Sequence, residues 1–432
     1  MTRIRRPAIA VAVGALLLGS WARAETLDEA WAQALQRDHG LAAVRGEADA
    51  ARLDAAAARA QRWPTLAVGG TYTKLDDAPA FDFSFTGLPV TAPEIFRHDE
   101  VAMGAATLSV PIFTSGRITS GIRAAEAQSR GASEAASGAE ADVKLAVADA
   151  YVGVLRAQKA LSVADSNVAS LQSLANDVGS MFERELVPKN DLLAVQVALA
   201  DAQQARLRAA NGLELARADY NRRLGEPMSR PCDLSESLPA VAGLPEDVDA
   251  LIAKALEQRT ELKALAARAD AYHALARSER ARVLPQLTLN GGYNYLQNQF
   301  LDDEEFLSAG VGFQWALFDG GQARKRAAAL DRNGQATEDR RRDAESLISL
   351  QVRQAWLSLV EAQDRVKVST TAVEQAEENL RIAREQYGAG LGTQTQLLQA
   401  ETLRVGALGN RDNATLDVGL ARLRLARAVG AL

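Results

Sequence analysis

Apolar and polar positions alternate strictly in two stretches of the second half of the chain. Leu287, Leu289, Gly291, Tyr293 and Tyr295 alternate with Gln286, Thr288, Asn290, Gly292 and Asn294, and Leu307, Ala309, Val311, Phe313, Trp315 and Leu317 alternate with Ser308, Gly310, Gly312 and Gln314. A period of two is that of a β-strand with one apolar face, so strands are expected over about 286–299 and 307–318. The first half repeats the pattern with Leu66, Val68, Gly70 and Tyr72, then Leu108, Val110 and Ile112, which places strands at about 65–75 and 101–113. Each run is close to the roughly 9–11 residues that a tilted strand needs to cross a bilayer, and Tyr293, Tyr295, Trp315 and Phe318 suit the interface. An ordinary antiparallel sheet with one buried face is the alternative for a single hairpin. The hairpin connections differ: Lys74 to Glu100, with Pro79, Pro89 and Pro93, is a long outer loop, whereas the second pair turns through Asp302-Asp303-Glu304-Glu305.

Between these stretches the periodicity changes. Residues 116–182 and about 320–388 contain no proline and are rich in Ala, Leu, Glu, Gln and Arg, so each is expected to be a single helix about 100 Å long at ~1.5 Å per residue. A seven-residue ladder runs along each: Val147, Val154, Leu161, Val168, Ala175 and Phe182, then Val352, Leu359, Val366, Val373, Leu380 and Tyr387. A strict heptad implies coiled-coil packing. Return helices follow at 190–224 and 393–429. Amphipathic helices Leu27 to Arg62 and Val248 to Val283 lead into the strands and stop before Pro64 and Pro285. The runs Arg324-Lys325-Arg326 and Arg340-Arg341-Arg342 suit solvated helix faces.

The chain reads as one unit written twice. Residues 151–158 align with 356–363 at an offset of 205, which also carries Phe182 onto Tyr387 and Leu192-Leu193 onto Leu397-Leu398. Upstream, Pro64, Leu66, Gly70 and Tyr72 fall on Pro285, Leu287, Gly291 and Tyr293 at an offset of 221. The division is therefore a leader at 1–24, a first repeat at 25–224, a proline-bearing linker at 225–245 with too few apolar residues for a core, and a second repeat at 246–432.

Arg3, Arg5 and Arg6, the apolar run Ala8 to Leu18 and the Ala22-Arg23-Ala24 site form a secretory signal peptide, so the mature chain is expected to begin at Glu25. The single cysteine, Cys232, is far from that position, so no lipid anchor and no intrachain disulfide is expected. The net charge is −6, and loss of the four leader arginines makes it more negative, which disfavours a nucleic-acid partner. His39, His98 and His273 show no metal-ligand spacing, no catalytic constellation is present, and no cofactor is expected. No run of eighteen apolar residues follows the leader, so a membrane span must be made of strands. Four strands cannot close a barrel, and open edges are not tolerated in lipid, so several chains must share one.

The order helix, strand, strand, long helix, tight turn, return helix, twice over, resembles the TolC family of outer-membrane efflux proteins across the mature length. That family's turns read aromatic, two residues, Gly, five residues, Asp, then two apolar residues. Tyr387 to Leu398 keeps the aromatic, the glycine (Gly390) and the leucines but has Gln396 for Asp, while Phe182 to Leu193 keeps Asp191 but has Glu185 for Gly. The resemblance implies a mainly α fold with transmembrane β: a homotrimeric 12-stranded barrel in outer-membrane lipid of a Gram-negative bacterium, four strands per chain, continuous with a helical coiled-coil barrel in the periplasm. It implies a passive export duct for efflux or type I secretion, without enzymatic activity, working with a periplasmic adaptor (membrane fusion protein) and an inner-membrane pump. It further implies a periplasmic gate held partly by a bond from the Tyr387 hydroxyl to the Asp191 carboxylate. The family's gate arginine and inward carboxylates correspond to Gly392, Gln396 and Gln399, so fewer charges and a weaker divalent-cation block are expected, unless both glutamines are simply solvated helix positions. Adaptor docking is expected at Leu186, Val187, Gly390, Leu391 and Gly392. The competing possibility is a periplasmic adaptor or coiled-coil scaffold, although adaptors carry one hairpin inside a lipoyl-like β module rather than two hairpins of amphipathic strands.

Overall fold

The computed structural model describes residues 24–77, 100–239, 243, 245, 247–297 and 302–432. The leader through residue 23, most of the long outer loop (78–99) and part of the linker lie outside these. The element order is α1 (Leu27–Arg37), α2 (His39–Ala60), β1 (Thr65–Lys74), β2 (Glu100–Phe113), α3 (Arg117–Glu183), α4 (Lys189–Arg223), α5 (Val248–Gln258), α6 (Thr260–Ala281), β3 (Gln286–Leu296), β4 (Glu305–Gln314), α7 (Gln322–Gly388) and α8 (Gln394–Val429). Both long helices have 67 residues, and their ends fall 205 positions apart. No position of either heptad ladder is exposed. The chain divides into two compact units, one holding residues up to 36, 146–239 and 362–420, the other 37–145, 243–361 and 421–432.

All four strands belong to the second unit and form one antiparallel sheet in the order β1-β2-β3-β4. Its register puts Leu66 opposite Leu108, Val68 opposite Ala106, Ala106 opposite Tyr293 and Tyr293 opposite Leu307. These side chains share one face, and Val68 and Leu307 are about four-fifths exposed. The opposite face is polar and cross-linked, with Ser109 Oγ donating to Asn290 Oδ1 (2.9 Å) and Asn294 Nδ2 to Ser308 Oγ (3.0 Å). A bulge at Pro111–Phe113 absorbs the proline that cannot donate to a ladder. At the base, Ser115 (φ +50°) and Gly116 (φ +84°) turn the chain from β2 into α3, and Gly320 (φ +68°) and Gly321 (φ +79°) do the same before α7.

Three expectations change. Strand β4 ends at Gln314, so Trp315, Leu317 and Phe318 lie beyond it; its partner β3 begins at Gln286, after Pro285, and offers no further ladder. The leading helices are each broken in two. Asp38 caps α2, its Oδ1 accepting from Leu41 N at 2.7 Å, and Arg259 sits extended between α5 and α6, 221 positions later. Arg259 is buried, and its guanidinium donates to the carbonyls of Arg427 (3.3 Å) and Ala428 (3.2 Å) at the end of α8, to Gln351 (3.2 Å) and to Glu261 (3.0 Å). These groups border the second unit's core of Leu251, Leu262, Ile348, Val352, Leu425 and Val429.

The linker also differs, since it buries Cys232 and Leu234 in the first unit. There Glu25 pairs with Leu234 as a short parallel bridge, and Tyr151 Oη donates to the carbonyls of Glu25 (2.8 Å) and Ser235 (2.7 Å). Tyr220 Oη and Arg230 Nη2 both donate to the Glu25 carboxylate, at 3.0 and 3.2 Å. Burial pushes the Tyr151 phenol up to about 12 and raises Tyr220 as well.

Candidate functional site

The turns that join each long helix to its return helix are built the same way. In the first, the N–H of Glu185 bonds the Phe182 carbonyl and that of Leu186 bonds Met181; in the second, Gly390 bonds Tyr387 and Leu391 bonds Gln386. This is the Schellman closure, which needs a left-handed residue after the helix cap. Gly390 supplies it at φ +73°, and Glu185, standing where the turn pattern has glycine, is forced to φ +57°. Because the chain then reverses, Leu186 and Leu391 are left 69% and 84% exposed. Val187 differs from them: it is half-buried against the core of the turns. Gly392 is half-buried, and a Cβ there would come within 3.1–3.3 Å of Gln386 and the Tyr387 nitrogen.

The return helices start differently. Before α4 stands Pro188, which offers no side-chain cap, so Asp191 in the first turn is the group that complements the helix dipole. Before α8, Thr393 Oγ1 accepts from Gln396 N (3.4 Å) and Gln396 Oε1 accepts from Thr393 N (2.9 Å). This reciprocal pair is a capping box. Gln396 therefore spends its amide oxygen on its own helix, and Gln399 is exposed.

The structure brings Tyr387 and Asp191 near one another but does not form the expected bond between them. The Tyr387 ring is buried among Val178, Val195, Leu380, Leu397 and Ala400, and its hydroxyl has no hydrogen-bond partner among the described residues. Burial raises this phenol above its ordinary value, and the Asp191 charge adds to the rise. The contact that does join the two turns is Gln394 Nε2 donating to the Asp191 carbonyl at 2.6 Å. Gln394 is buried, and its partner is a backbone atom, which leaves no mark in sequence. The spacing Thr393-x-x-Gln396 marks the helix start and was the available signal for a structured turn here.

No group of three metal-ligating side chains exists among the described residues, and no helix there is long and apolar enough to cross a membrane. The turns thus hold exposed apolar tips and a buried phenol, on helices led in by an amphipathic sheet. A family model described as outer membrane efflux protein matches residues 30–226 and 251–431. The chain belongs to the outer membrane efflux protein family. Outer membrane protein TolC of Vibrio cholerae is 24% identical over 433 residues, covering 98% of this chain and 94% of that protein. The alkaline protease secretion protein AprF of Pseudomonas aeruginosa is 24% identical over 300 residues, 66% of this chain and 61% of AprF. Among solved structures, the outer-membrane channel OprN superposes with a TM-score of 0.79 at 18% identity, covering 94% of this chain and 90% of that one. VceC of Vibrio cholerae gives 0.80 at 17% identity, with 94% and 96% covered. Members of the family are outer-membrane channels and not enzymes.

Proposed function

We propose that this chain is the outer-membrane duct of a tripartite efflux or type I secretion system, a passive path from periplasm to exterior that a periplasmic adaptor and an inner-membrane pump open and load. The observation that carries this function is the sheet. It has an apolar face, a networked polar face, and β1 and β4 as its edges. In hydrocarbon each unpaired backbone group costs several kcal/mol, so these edges must be covered. Strands β1 and β4 each have 10 residues, so β4 of one copy can pair along the whole of β1 in the next. Three copies, the number the family resemblance implies, give a barrel of twelve strands.

The two segments matched by the family model begin 221 positions apart and end 205 apart, the same offsets that relate the strands and the long helices. That supports a duplicated chain whose two helix pairs each contribute equivalently to a periplasmic tunnel. The name of AprF supports type I secretion as one use of such a duct. The turn regions are proposed as the gate, with Tyr387, Asp191, Gln396 and Gln399 at its ends and Tyr387 acting through its packed ring. Leu186 and Leu391 are the exposed centres of the proposed adaptor-docking surface, with Val187, Gly390 and Gly392 shaping the turns beneath them. Glu25, at the expected first mature position, is held by Tyr220 and Arg230, which supports an amino-terminal segment secured by protein contacts.

The test is to extract the protein from outer membranes in detergent and examine it on gels and in planar bilayers. A trimer that dissociates only on heating, and that inserts as a pore, is expected. A soluble monomer that forms no pore would overturn the proposal.

A further inference from the structure

The start of α7 carries charge where a helix disfavours it. Gln322 begins the helix, no acid stands in its first turn, and Arg324, Lys325 and Arg326 follow at once, although cations are repelled by the positive end of the helix dipole. An acid answers only Arg326, whose Nη1 lies 3.9 Å from Glu279 of α6. Arg324 and Lys325 are exposed, and among the described residues neither has an ion pair or a side-chain hydrogen bond. The positions three and four away from each are Gly, Gln or Ala, so α7 itself offers them no acid. Asp319, just before the helix, spends its two oxygens on the N–H groups of Gly321 and Ala323, both at 2.8 Å. The other basic run of α7 is built differently, with Arg341 paired to Glu345 at 3.1 Å and Arg342 to Asp339. Two cations at the base of the sheet are thus left for an anion from outside the chain.

The chain just before them shows which anion fits. Trp315, Leu317 and Phe318, between the end of β4 and the turn into α7, are 51%, 77% and 88% exposed. Trp315 and Leu317 continue the alternation of Leu307, Val311 and Phe313 on the apolar face. Arg324 and Lys325 stand at the third and fourth positions of the helix, roughly 5 Å along its axis. Apolar strand, then aromatic residues, then cations is the order in which a bilayer presents hydrocarbon, interface and phosphate. A neighbouring copy is the competing occupant. With β4 paired to β1 of the next copy, that neighbour brings Ala55 to Trp63 to this edge, where the charged residues are Arg59, already paired with Glu126, and Arg62. It offers no carboxylate there, so charge complementarity favours lipid phosphate.

We propose that Trp315, Leu317, Phe318, Arg324 and Lys325 form a docking site for an anionic phospholipid in the leaflet at the helix end of the sheet. The proposal rests on the duct function above. Its test follows thermal dissociation of the full-length trimer in nonionic detergent micelles doped with phosphatidylglycerol, with phosphatidylcholine or with inorganic phosphate. Phosphatidylglycerol alone is expected to raise the dissociation temperature, by about 3 °C or more. Arg324→Gln/Lys325→Gln should abolish the rise without changing the temperature in plain detergent, and Arg324→Lys/Lys325→Arg should keep it. Arg340→Gln/Arg341→Gln removes the same charge roughly 24 Å further along α7 and should also keep it. An equal rise with phosphatidylcholine or with phosphate, or one that survives Arg324→Gln/Lys325→Gln, overturns the site. A loss of stability by that variant in plain detergent assigns the surface to the neighbouring copy and overturns it too. A protein that is monomeric in every micelle fails earlier, at the duct function itself.

Discussion

Tyr387→Phe separates two mechanisms of closure by the sign of its effect. In the structure the ring fills the space among Val178, Val195, Leu380 and Leu397, and phenylalanine keeps that volume, so no cavity term arises. Only the hydroxyl is lost, and it is buried without a partner. An unsatisfied buried hydroxyl costs roughly 1–3 kcal/mol. Taking the low end, the variant stabilises the closed arrangement by about 1 kcal/mol and lowers the open-to-closed ratio about fivefold. Were the hydroxyl bonded to Asp191, its removal would leave that carboxylate short of a donor and raise the ratio by a similar factor. Single-channel recording of wild type, Tyr387→Phe and Asp191→Asn measures this directly. The phenol adds a pH signature. Its folded-state pKa is raised, by burial first and by the Asp191 charge second. Its stabilising contribution is therefore complete below the ordinary tyrosine value of about 10 and is lost as pH rises through the folded value. Thermal denaturation in alkaline buffer should show a decline that Tyr387→Phe reduces. An open, leaky Tyr387→Phe channel would refute the unpartnered-hydroxyl account.

Arg259→Ala should destabilise by about 3–5 kcal/mol, because it strips the two carbonyls at the end of α8 of a charged donor within a buried network; Arg259→Lys should recover only part, lacking the fork. Thermal unfolding in detergent reads both. Burial raises the Glu261 carboxyl, but bonds and charge from Arg427, with Arg259, outweigh it and lower the pKa. The stability from Glu261 is thus present above the unfolded value of about 4.3 and lost on acidification through the folded one. Glu185→Gly should strengthen the end of α3 by about 1 kcal/mol and Gly390→Ala weaken the end of α7 by a similar amount, seen as opposite changes in hydrogen-exchange protection. Charged substitutions at Leu186 and Leu391 should abolish export while leaving the trimer intact; export that survives places docking elsewhere. With glutamines at 396 and 399, added divalent cations should block conductance only weakly.

What was legible in the sequence is what repeats along it. The absence of proline and the heptads from Val147 and Val352 set both long helices to within two residues, since every turn of a 67-residue helix repeats the same evidence. The breaks at Asp38 and Arg259 were not legible, because apolar periodicity continues across both. Asp38 is a cap only if the helix ends there, and the partners of Arg259 on α8 lie 168 and 169 residues away. Trp315 and Leu317 keep the parity of β4, so alternation ran past Gln314; the limit came from the neighbouring strand, where Pro285 precedes Gln286. At the turns, the exposed leucines followed from local order, whereas the failure of Tyr387 to meet Asp191, and the Gln394 bond, depend on how two segments about 200 residues apart come together.

Gly392, Gln396 and Gln399 leave the second turn without charge at these positions, and the structure shows how the turn holds its shape. The capping box of Thr393 and Gln396 stabilises the start of α8 with neutral groups, where α4 relies on Asp191. Charge on the second helix pair instead lies deeper in the first unit, where Glu401 and Arg404 are buried and so shielded from salt, with Arg384 half-exposed beside them. A ring of exposed carboxylates would gather cations and couple closure to ionic strength. A buried carboxylate paired twice within its own helix pair does neither. Closure here should accordingly change little between low and high salt, and single-channel recording across that range checks it; a steep salt dependence would return the controlling charge to the exposed turns.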